Sequence, residues 1–117
     1  MQITNNNTIR INRGNSLSLD ISIDNAGDDY IYKEGDIVGI AIYNANSLNN
    51  PPVISKFVNA VAGDTVTNIT LTDEEMKLGQ PQNYPINYWY EITLNSETVL
   101  GFDEDGAKIL ILYPEGV

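Results

Sequence analysis

Apolar and polar positions alternate along most of this chain with a period of two. In "LSLDISID", Leu17, Leu19, Ile21 and Ile23 share one face, and Ser18, Asp20, Ser22 and Asp24 share the other. That is the pattern of a strand with one buried and one wet face. "TIRIN" likewise sets Ile9 and Ile11 against Arg10, and "NRGN" reads as the bend between the two runs. In "DIVGIAIYN", Val38, Ile40 and Ile42 line one face while Gly39, Ala41 and Tyr43 line the other. A strand apolar on both sides belongs inside a sheet, and its small residues admit a close approach from above. "VISKFVNAV" alternates weakly and leaves its register open, whereas "TVTNITLT" is clear. "INYWYEITLN" separates Tyr88, Tyr90, Ile92 and Leu94 from Trp89, Glu91 and Thr93. "TVLGF" and "KILILY" close the series. About eight strands at spacings of 8–14 residues predict an all-β domain over 1–117, an antiparallel sandwich or small barrel of about 7–9 strands.

Between "TVTNITLT" and "INYWYEITLN" the pattern changes. "LTDEEMKLGQP" offers Thr72 as an N-cap with Glu75 three residues on, a capping box. Gly79 suits a left-handed C-cap, and Pro81 blocks continuation. A short helical turn is expected over 72–78.

Composition narrows the chemistry. The 117 residues contain neither cysteine nor histidine, which excludes disulfides, thiolate nucleophiles, Cys/His zinc sites and histidine acid–base catalysis. Sixteen acids against six bases give a net charge of −10. Phosphate neutralisation needs clustered Lys and Arg, so neither nucleic acid nor an anionic membrane is an expected partner. No apolar run reaches the roughly 18 residues of a membrane span. The N-terminal stretch lacks the apolar core of a signal peptide, so no Sec-type export is expected.

The acids of "GFDEDGAKI" invite a test for calcium. Asp103 and Asp105 occupy two ligand positions of an EF-hand loop, but position 5 would be Ala107 and position 12 Pro114. The pattern fails, and Asp103–Gly106 reads instead as the tip of a hairpin between "TVLGF" and "KILILY". No cofactor is expected; Asp103 and Asp105 stay only as weak candidates for an adventitious calcium contact. Carboxylate pairs for glycoside hydrolysis can be drawn from sixteen acids by chance, and no spacing singles one out. No enzyme activity and no small-molecule substrate are expected. Tyr88 and Tyr90 run in phase with Ile92 and Leu94 and read as core. Trp89 is out of phase with them and is the aromatic best placed as a surface anchor, to a protein or to a sugar ring.

The succession "TIRINRGNSLSLDISI", "YIYKEGDIVGIAIYN", "PPVISKFV", "ITLTDEEMKLG" and "YWYEITLNSETVLGFDEDGAKILILYPEG" resembles structural proteins of phages and prophages of Gram-positive bacteria. It is most similar to the N-terminal domain of phage baseplate upper proteins. The resemblance rests on the order and spacing of these segments over nearly the whole chain. It implies an immunoglobulin-like β-sandwich that oligomerises and docks onto other virion proteins of the tail or baseplate, without catalytic residues. It also implies assembly in the host cytoplasm and residence in the virion. The contact residues then expected are Trp89, Glu91, Tyr43, Phe102 and Tyr113, on the Trp89 face and the hairpin Thr98–Tyr113. Unpaired sheet edges are natural docking surfaces. The alternative is a carbohydrate-binding module that uses exposed aromatics.

Overall fold

The computed structural model describes residues 2–3, 8–45, 51–100 and 108–115. These form eleven strands and no helix: β1 (Gln2–Ile3), β2 (Ile9–Asn12), β3 (Leu17–Ile21), β4 (Asp24–Asn25), β5 (Asp28–Asp29), β6 (Ile37–Tyr43), β7 (Ile54–Asn59), β8 (Thr67–Leu71), β9 (Ile86–Leu94), β10 (Glu97–Leu100) and β11 (Lys108–Tyr113). The eight with four residues or more fall on the eight alternating runs of the sequence.

One large sheet has the order β1-β2-β11-β9-β6-β7, with β10 also paired to β9. A smaller sheet pairs β3 with β8, and β4 with β5 make a separate two-stranded ribbon. The inward residues of the large sheet (Ile9, Ile11, Val38, Ile40, Ile42, Tyr88, Tyr90, Ile92, Leu110, Leu112) meet Leu17, Leu19, Ile69 and Leu71 of the small sheet in one core. The result is a sandwich-like, all-β fold held by burial of apolar surface. β6 lies between β9 and β7, as its two apolar faces require. Tyr88 and Tyr90 are core residues.

Three expectations are corrected. First, the large sheet is mixed: β11 runs parallel to β2 and antiparallel to β9. A strand next to β2 that arrives from 100 residues away needs no hairpin geometry, so either direction can form.

Second, the 72–78 segment is not helical. The capping box forms, with the Thr72 N–H donating to Glu75 Oε1 at 2.8 Å and the Glu75 N–H to Thr72 Oγ1 at 3.2 Å. One backbone bond of helical span follows, from the Met76 N–H to the Thr72 carbonyl at 3.0 Å. The chain then turns away, because the buried Arg13 guanidinium takes the carbonyls of Lys77, Leu78 and Gly79. A single turn gains too few bonds to offset the cost of helix nucleation. Met76 and Leu78 plug the core instead.

Third, among the described residues β10 and β11 do not pair with each other. Both run antiparallel to β9 along the same side of it, β10 beside Ile92–Leu94 and β11 beside Ile86–Tyr90. The hairpin partner of β10 is β9, through Asn95 and Ser96, whose φ values of 52° and 70° suit a tight reversal.

Candidate functional site

Alternation sends every second residue of the large sheet away from the core. From β2, β11, β9, β6 and β7 these are Arg10 and Asn12, then Ile109, Ile111 and Tyr113, then Asn87, Trp89, Glu91 and Thr93, then Ile37, Gly39, Ala41 and Tyr43, and finally Ser55, Phe57 and Asn59. Among the described residues no second layer packs on this outer face; the small sheet lies on the opposite side.

The face is apolar and aromatic through its middle. Trp89 pairs with Tyr43 on one side and Ile109 on the other. Ile111 extends the row, and Arg10 donates to the Tyr113 hydroxyl at 2.8 Å. Towards β7, the Phe57 ring lies over Gly39. A Cβ at position 39 would stand 2.6 Å from two ring carbons and 2.8 Å from Thr93 Oγ1, so only glycine fits there. Phe57 is nonetheless 57% exposed.

Within this apolar surface sits a carboxylate. Glu91 is only 8% exposed. Its Oε1 accepts from the Tyr43 hydroxyl at 2.8 Å, and its Oε2 from Thr98 Oγ1 at 2.7 Å. Burial, and then the hydrogen bond to Glu91, push the Tyr43 phenol up to about 12, so it remains a donor at any ordinary pH. Beside Glu91, Thr93 Oγ1 is buried with no hydrogen-bond partner. A pocket of about 210 Å³ opens here between Tyr43, Ser55, Phe57, Glu91 and Thr93.

Four of the five expected contact residues, Trp89, Glu91, Tyr43 and Tyr113, therefore share one face. Phe102 lies outside the described residues, as do Asp103, Asp105 and the proposed turn tip. Among the described residues no group of three or more Asp, Glu, His or Cys comes together to hold a metal ion. Sequence reasoning missed Phe57, because Lys56 takes the inward position next to it, where its ammonium pairs with Glu75 at 2.9 Å. It also missed Thr98 as a ligand of Glu91, having placed it in a different hairpin. A second opening, of about 640 Å³, lies between β3 and the large sheet, lined by Leu19, Ile21, Ile23, Tyr90, Ile92 and Leu100. It sits beside a strand that pairs with β8 on one side alone.

In comparisons with known proteins, no family model, no curated protein and no solved structure matches this chain.

Proposed function

We propose that the chain is a non-enzymatic structural subunit of a phage virion, associated with the tail or baseplate. It assembles with copies of itself and docks onto other virion proteins through the outer face of its large sheet. The phage assignment, the immunoglobulin-like reading of the sandwich and the location in the virion rest on the sequence resemblance. The docking role has one structural support, which carries it: among the described residues no second layer packs on the outer face, and that face is apolar and aromatic with little charge. Of the outward residues described on β2, β11, β9, β6 and β7, Arg10 and Glu91 alone are charged. Depletion of charge around aromatic anchors is the composition of an interface core.

Light scattering on wild type and Trp89→Ala tests the reading. The wild type is expected to show a multiple of the 12.9 kDa chain mass, and the variant a lower one. An unchanged oligomer counts against docking through Trp89. Specific binding of the chain to a glycan array would instead favour a carbohydrate-binding module.

A further inference from the structure

The two charges on the described outer face, Arg10 and Glu91, have opposite sign, and neither makes an ion pair among the described residues. Arg10 gives one of its five N–H donors to Tyr113. Glu91 receives two neutral hydroxyl donors, which leaves about half of its lone-pair positions unused. A carboxylate withdrawn this far from water without a cation is a costly element in a free subunit. A partner that supplies the cation would recover much of that cost.

Their placement on the sheet is specific. Arg10 stands beside Ile111, which in turn stands beside Asn87. Glu91 is four residues further along the same strand as Asn87. The two charges are thus separated by two strand spacings, about 10 Å, and by four residues, about 13 Å. The midpoint between them falls on β11 level with Trp89. The residue there is Ile109, paired with Trp89. The midpoint of the line joining the two charges therefore falls within the apolar patch, at Ile109 beside Trp89.

We propose that two copies of the chain pack their outer faces together about a two-fold axis near Ile109, and that Arg10 of each copy enters the Glu91 pocket of the other. This rests on the docking reading above and deepens it by naming the partner and the contact. In an isologous interface, if one residue of a copy meets another, the reverse contact forms as well. A two-fold axis that lies between the two faces, through the midpoint and at right angles to the line joining the charges, brings both Arg10–Glu91 pairs together at once, with Trp89 and Ile109 from the two copies meeting between them. Guanidinium suits the site: it is more weakly hydrated than an ammonium and offers several donors to a partly filled carboxylate. Tyr43 and Phe57 flank the entrance with aromatic surface that favours a cation.

The test is a dilution series of the full chain by sedimentation equilibrium. It compares wild type, Arg10→Glu, Arg10→Gln and, as a control for net charge, Lys33→Glu at an exposed position outside the strands of this face. Wild type is expected to dimerise, and more weakly as salt is raised. Arg10→Gln is expected to weaken the dimer about 30-fold or more, the usual effect of removing one partner of a buried charge pair. Arg10→Glu should weaken it further and Lys33→Glu hardly at all. Circular dichroism checks that each variant is folded. Glu91→Gln, which keeps the shape of the side chain, should weaken the dimer like Arg10→Gln. If wild type dimerises and Arg10→Gln and Arg10→Glu dimerise equally well, the Arg10–Glu91 pairing is wrong and docking survives. If wild type stays monomeric at every concentration, both are wrong.

Discussion

Single residues carry much of the specification of this molecule, and Arg13 shows how. It is 8% exposed, pairs with Glu115 and takes three consecutive carbonyls of the turn after β8. Removing it takes the donor from the buried Leu78 carbonyl and releases the carbonyls of Lys77 and Gly79 beside it. Arg13→Ala is expected to cost about 2–4 kcal/mol, read from the urea midpoint at unchanged slope. Nothing local in "NRGN" betrays this role, since its partners lie 64–66 residues away. Tyr43 makes a second case. Its phenol titrates at about 12 in the fold, as does that of Tyr90, both chiefly because of burial. A folded-state value above the unfolded one of about 10 means stability that is present below pH 10 and is lost as pH rises towards 12. Absorbance at 295 nm should show a late group of tyrosines, and Tyr43→Phe should remove one member of it.

At the scale of elements, the strands themselves were legible in the alternation, but their pairing was legible only in part. The inward sets of β3, β6 and β9 could be read directly from their apolar faces, but that of β11 could not, because Ile109 and Ile111 on its outer face are as apolar as Leu110 and Leu112 on its inner one. β7 could not, because Lys56 faces inward to reach Glu75 and Phe57 faces outward over Gly39. "TVLGF" and "KILILY" look like the arms of a hairpin, yet their described parts, β10 and β11, both pair with β9. Period and turn chemistry state where a strand stops, not which edge it joins. The tight turn that does form a hairpin, Asn95-Ser96, holds Ser96 at a φ of 70°, where an L side chain is strained. Asn95 also ties the turn to β6, donating through its own N–H to the Ile37 carbonyl and accepting from the Ile37 N–H. Ser96→Gly keeps those bonds and relieves the strain. A gain of about 1 kcal/mol in unfolding free energy is expected, measured by thermal or urea melts.

At the scale of the whole molecule, the asymmetry between the two faces of the large sheet is the main feature. One face is packed against β3 and β8; the other presents Trp89, Ile109, Ile111, Tyr113 and Phe57. Periodicity had already set Trp89 and Tyr43 apart from the core tyrosines, so the existence of a second face was readable. That no further layer of the described chain covers it was not, because coverage depends on where β3 and β8 land.

The most direct measurement is the solution mass, by light scattering, of two lysine variants. Ile109→Lys puts a charge at the centre of the outer face, and Ser18→Lys puts one on the exposed face of the small sheet. Ile109→Lys is expected to give the 12.9 kDa monomer and Ser18→Lys the wild-type oligomer. An Ile109→Lys protein that keeps the wild-type mass would contradict docking through the outer face.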